Sequence, residues 1–173
     1  MLWIALHLPL LSLESFAATL VRGERPAGEA AVPLALMDAH RIVSVNGVAQ
    51  ALGVKTGLKR ATALALAPQL TLGRADRARD VQALEPVAHA ALAFTPYVAI
   101  QPADSPDAAP HTVLLEVEAC LRYFGGRTRL LQRLQAALQP LHHRIHSVSA
   151  PTPQGAALPV SYTHLTLPTI LRV

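Results

Sequence analysis

The sequence predicts an α+β fold, a ferredoxin-like β-α-β-β-α-β layer with a small subdomain inserted near its start. Three observations carry this. Short apolar runs suited to buried strands open the chain at Leu2–Leu8 and return at "YVAIQ" and "TVLLEVE". Segments with apolar residues at helical spacing alternate with them. Between Arg22 and Gly73 the texture changes to small strands, turns and short helices, as an insertion would.

The elements follow in order. Leu2–Leu8 is short enough for a strand, and Leu10–Val21 has the length and spacing of a helix, with Pro9 at the junction. "RGERPAGEA", 22–30, is charged and carries Gly and Pro, so it reads as a boundary loop. "PLALMD" and "RIVSV" are two strands turning at Ala39 and His40. Asn46 caps a short helix, Gly47–Leu52, that Gly53 ends, and "ATALALA" makes a second helix stopped by Pro68. From Asp76, the residues Val81, Leu84, Val87, Ala88, Ala91 and Leu92 recur at helical spacing, with a kink expected at Pro86. The loop "PADSPDAAP" separates the next two strands. Leu130, Leu131, Leu134, Ala137, Leu138 and Leu141 mark an amphipathic helix that starts after Gly125 and Gly126 and stops near Pro140. "RIHSVSA" closes the sheet. The expected organisation is a first strand and helix over 1–21, an inserted subdomain over 22–73, and the rest of the main layer over 74–159.

Composition bounds the function classes. At 173 residues, 51% hydrophobic and 15% charged, the chain is long enough for one core and reads as a soluble globular protein. Leu2–Leu13 is too short to cross a bilayer, which takes about 20 apolar residues. It is also a poor secretion signal: no Lys or Arg precedes Arg22, His7 and Pro9 interrupt the apolar run, and Glu14 comes before any cleavage site. A single cysteine, Cys120, excludes an internal disulfide framework and suits the cytoplasm. With 15 basic and 11 acidic residues, a net charge of +4 and a pI near 9.8, the balance is compatible with a polyanionic partner.

The last residues stand apart. "VSYTHLTLPT", Val160–Thr169, is one reading frame of the transposase end and read primer of a common sequencing adapter. Residues 160–173 are therefore expected to be read-through rather than native sequence, and the natural product to be truncated here.

"PLALMDAHRIVSVNGVAQALGVKTGLKRATALALAPQL", "VLLEVEACLRYFGG" and "APTPQGAA" are similar to the fingers and later palm of Y-family translesion DNA polymerases. The chain most resembles the inactive ImuB-type mutagenesis proteins, over Met1 to about Leu158. The resemblance implies a ferredoxin-like palm with a fingers insertion. It also implies carboxylates that hold two Mg²⁺ ions, in a first strand of the type H-x-D-x-D-x-F-F-A-x-V-E and in a D-E pair before a second strand.

This sequence departs from that pattern. Aligning "SLE", Ser12–Glu14, puts Ala5 and His7 where the two aspartates belong and Leu10 at the sugar-gating aromatic position. Aligning "LLEV" puts His111 and Thr112 at the D-E pair. The triphosphate-gripping tyrosine and arginine of the fingers fall on Gly47 and Gln50, and the phosphate-contacting lysine on Pro153. Metal and nucleotide contacts are thus degenerate together, so no catalytic residue, metal site or cofactor is expected; Mg²⁺ would enter only if the protein were active.

Other residues keep two readings each. Asp104 and Asp107 are turn formers between prolines, or displaced ligands of a divergent nucleotidyltransferase. Glu116 and Glu118 are a solvated strand face or an acid/base pair. His142, His143 and His146 lie close in sequence but without Cys or carboxylate support for a metal. Arg41, Lys55, Lys59 and Arg60 are a solvated basic face or contacts to template phosphates. Cys120 reads as small core packing. The expected function is a catalytically inactive, DNA-associated scaffold in damage-induced mutagenesis. The alternatives are the divergent nucleotidyltransferase and a secreted binding domain. What the resemblance implies for partners is damaged or primed DNA, with a sliding clamp, a RecA-like accessory protein and an error-prone replicative-type polymerase held through a missing C-terminal part.

Overall fold

A computed structural model describes residues 1–21, 32–101 and 111–162. The chain divides into two compact units, Met1–Pro9 with Leu84–Val173, and Leu10–Ala83. Among the described residues no helix is long and apolar enough to cross a membrane.

The first unit is built on a four-stranded antiparallel sheet of β1 (Trp3–His7), β5 (Val98–Ile100), β6 (Thr112–Glu116) and β7 (His146–Ala150), in the order β5-β6-β1-β7. Counted along the unit, that is the 4-1-3-2 arrangement of the split β-α-β fold read in reverse, as the sequence predicts. Ile4 and Leu6 point to one face of β1, and Ala5 and His7 to the other. Both faces are buried: Ile4, Ala5, Leu6, Val113 and Leu115 are 1% exposed or less. Each large apolar side chain among them contributes about 1.5–3 kcal/mol by leaving water. α5 (Leu121–Phe124) and α6 (Arg127–Leu138) follow β6, and α6 buries Leu130, Leu134 and Leu138 along one stripe. Its entry is made by Gly125 and Gly126, whose φ of 75° and 101° a side chain would oppose.

Two expectations for this unit change. β6 ends at Glu116; Glu118 opens a short 3-10 turn that also holds the half-buried Cys120, and the Glu116 carboxylate accepts the Glu118 N–H at 3.1 Å. The two carboxylates therefore do not share a strand face, because the first turns back to cap the turn that the second begins. An additional helix, α7 (Pro153–Tyr162), covers the Ala5 face of the sheet, packing Ala156 on Ala5 and Leu114 with Trp3 and Ala150 at the margin. Thr152 Oγ1 accepts the Gly155 N–H at 3.0 Å, a side-chain cap, and Pro153 opens the helix where its missing N–H costs nothing.

The second unit contains α1 (Leu11–Val21) and a three-stranded sheet, β3-β2-β4, of β2 (Leu34–Asp38), β3 (Arg41–Val45) and β4 (Thr71–Arg74). It also holds α2 (Gly47–Ala51) and α3 (Arg60–Leu66). Asn46 pins this unit three ways: Oδ1 accepts the Ala49 and Leu34 N–H groups at 2.9 and 3.0 Å, and Nδ2 donates to the Val32 carbonyl at 2.7 Å. α1 packs Leu13 against Leu34 and Leu36 of β2, with Leu10 and Phe16 alongside. It thus groups with the strands of 34–74 rather than with β1. α4 (Arg77–Leu92) begins in this unit, continues unbroken through the exposed Pro86, and passes into the first at Leu84. Near its start the buried Asp80, 2% exposed, accepts hydroxyl hydrogen bonds from Ser12 and, at 2.9 Å, from Ser15 of α1.

Candidate functional site

His7 of β1 meets Thr112, the first residue of β6, and His111 just before it. The Cα of His7 pairs with Thr112 on one side and with His146 on the other. His7 Nδ1 and Thr112 Oγ1 are hydrogen-bonded at 3.1 Å, and the His111 ring stands edge-on to His7, with centroids 4.7 Å apart. Burial, then the neighbouring His111 and His146, push the His7 imidazole down to a pKa of about 4. It is therefore neutral at neutral pH. Ala5, two residues earlier on the same face, is fully buried against Leu114 and Ala156.

The histidine triplet read from the sequence comes apart. His142 is exposed, in a left-handed turn with φ of 55°, whereas His146 enters β7 opposite His7. Strand pairing, not sequence proximity, chooses its neighbours. Among the described residues no three His, Cys, Asp or Glu side chains are placed to hold a metal ion. Asp104 and Asp107 lie outside the described residues.

In the second unit Gly47 and Gln50 are exposed on α2, and space around Gly47 is open. Pro153 is half-buried at the start of α7 in the first unit. Arg41, Lys55, Lys59 and Arg60 are all exposed. Arg41 and Lys59 form an isolated antiparallel bridge, and Arg41 Nη1 donates to the Gly57 carbonyl at 2.9 Å. Lys59 and Arg60 begin α3. The β3 edge and the 55–60 turn thus set Arg41 beside Lys59 and Arg60.

The model of the impB/mucB/samB family matches residues 11–148. The chain belongs to the impB/mucB/samB family. Its fold is that of Y-family DNA polymerases. It is similar to a Dbh ternary complex with partially disordered substrates, at a TM-score of 0.66 and 15% identity over 94% of this chain and 45% of that one. It is also similar to an insertion ternary complex of Dbh DNA polymerase, at 0.64 and 15% over 94% and 46%. A DinB-family error-prone DNA polymerase from Sulfolobus solfataricus gives 0.61 and 16% over 94% and 44%. The chain therefore spans less than half the length of these polymerases. No curated protein matches it in sequence.

For this impB/mucB/samB-family chain, the donor set at Ala5, His7, His111 and Thr112 does not fit the Mg²⁺ ions that the fold implies. Ala5 offers no ligand atom and is sealed beneath Ala156. One His7 nitrogen is engaged with Thr112, and imidazole is a poor ligand for a hard, oxygen-seeking ion. Of these four side chains only that of Thr112 offers an oxygen.

Proposed function

We propose that the chain is a catalytically inactive Y-family module that acts as a DNA-associated scaffold in damage-induced mutagenesis, in the cytoplasm. In this reading 1–21 and 74–159 form the palm and the insertion over 22–73 the fingers. The observation that carries it is the cluster of His7, His111 and Thr112, with Ala5 two residues away on the same strand face, where a two-metal transfer needs carboxylates to place its ions. The fingers positions Gly47 and Gln50 supply no cation for a triphosphate, so positioning and charge stabilisation are lost together. The exposed Arg41, Lys55, Lys59 and Arg60 support contact with the phosphates of damaged or primed DNA. Synthesis would fall to an error-prone replicative-type polymerase, recruited with a sliding clamp and a RecA-like accessory protein through segments beyond this chain.

The test is primer extension with Mg²⁺ and all four deoxynucleotides, by a natural version long enough to hold primed DNA and purified free of other polymerases. No extension is expected, and none after His7→Asp or Ala5→Asp alone, because groups acting as one catalytic unit are grossly non-additive. His7→Asp is the cleaner variant, since Ala5→Asp buries a carboxylate under α7. Template-dependent extension abolished by Asp104→Ala or Asp107→Ala would establish the nucleotidyltransferase instead.

A further inference from the structure

Between Ala119 and Ala157 the sequence holds five arginines, at 122, 127, 129, 133 and 144, and neither Asp nor Glu. Three of them belong to one corner, where α5 turns into α6 and where one ring stands exposed. Tyr123 is 84% exposed, and it stands edge-on to Phe124 at 5.0 Å, which in turn stacks on the buried Phe94 at 5.2 Å. The inner two rings anchor the corner and leave the Tyr123 face to solvent. Arg133 lies 5.9 Å from the Phe124 ring centre, and Arg129 runs beside Gly125, where a Cβ would come within 3.1 Å of its Nη1. One helical turn apart on α6, Arg129 and Arg133 share a side of the helix. Arg122, the residue before Tyr123 in α5, is exposed. Arg127 and Arg129 also sit in the first turn of α6, where the helix dipole disfavours cations and the turn itself holds no carboxylate.

We propose that this α5–α6 corner binds single-stranded nucleic acid, with a base stacked on Tyr123 and flanking phosphates held by Arg122, Arg129 and Arg133. A free aromatic face among arginines suits an unpaired base, because a paired base is already stacked and an acidic peptide would leave the ring unused. The corner follows the Glu116 end of β6, away from Thr112 at the other end, so it is distinct from the His7 cluster. The basic face at Arg41 belongs to the other unit, and separate variants test the two.

The experiment measures fluorescence anisotropy of a labelled oligodeoxythymidine of about 16 nucleotides, within the site sizes of single-strand binders, on the whole chain. Tyr123→Ala should weaken binding roughly tenfold, and Tyr123→Phe should restore it. Arg129→Gln with Arg133→Gln should lower the salt slope by about 1.4 units, at about 0.7 per phosphate. On an abasic strand of the same length, wild type and Tyr123→Ala should bind alike. Equal oligodeoxythymidine binding by wild type and Tyr123→Ala would overturn the proposal, as would displacement of the strand by polyglutamate at equal charge. Circular dichroism should show Tyr123→Ala folded, since the ring is almost wholly exposed.

Discussion

His7 is only 9% exposed, flanked by Thr112, His111 and His146, and its pKa is about 4 against an ordinary value of 6.5. Between those two values the unfolded chain binds a proton that the folded chain refuses. Stability from this residue is therefore complete above pH 6.5 and is lost as pH falls towards 4. At roughly 1.4 kcal/mol per unit, the full loss is roughly 3 kcal/mol. Urea unfolding at pH 7 and pH 4.5 should show wild type losing more stability than His7→Gln by roughly 2–3 kcal/mol. Parallel losses in the two proteins would mean that His7 is not the group that titrates.

At the scale of elements, one glycine decides how closely α1 approaches the three-stranded sheet. Gly73 of β4 lies opposite Leu36 of β2, and a Cβ there would stand 2.6 Å from Cζ of Phe16. A ring inside a packed layer has little room to retreat, so Gly73→Ala should cost about 1–3 kcal/mol. Phe16→Leu in the same chain should recover part of that loss, as coupled neighbours do. A double-mutant cycle by denaturant unfolding measures it, and strictly additive effects would show that the contact does not set the spacing. The same helix is tied by Ser12 and Ser15 to Asp80, so α1 is fixed within this unit by hydrogen bonds as well as by Leu13.

For the whole molecule the relevant property is charge. A net +4 is modest, so any affinity for a polyanion must come from where the cations lie rather than from their number. If Arg41, Lys55, Lys59 and Arg60 meet phosphates, binding to duplex DNA should be independent of sequence and fall steeply with salt. Neutralising all four should reduce the log–log salt slope by up to about four units. A slope unchanged by the quadruple variant would return these residues to a solvated face, whatever the outcome at Tyr123.

Local signals in the sequence determined much of this architecture. The apolar run at Leu2–Leu8, the Ala39–His40 turn, the Asn46 cap and the spacing of Leu130, Leu134 and Leu138 each act within a few residues, and each element formed where its signal lay. Ala5, His7, His111 and Thr112 were named through the Y-family resemblance rather than by a local signal, and the ladder sets His7 beside Thr112 and His111. β4 was not legible, because "TLGR" has no alternation and becomes a strand only by pairing in parallel with β2. α7 did carry a local signal, Thr152 followed by Pro153, but its burial of Ala156 on Ala5 did not follow from it. Nor did the company of His146, which follows His143 closely in the chain yet faces His7 across a ladder. Periodicity and caps are written locally; which strand lies beside which is decided by the faces that must be buried together, and only the tertiary structure makes that choice.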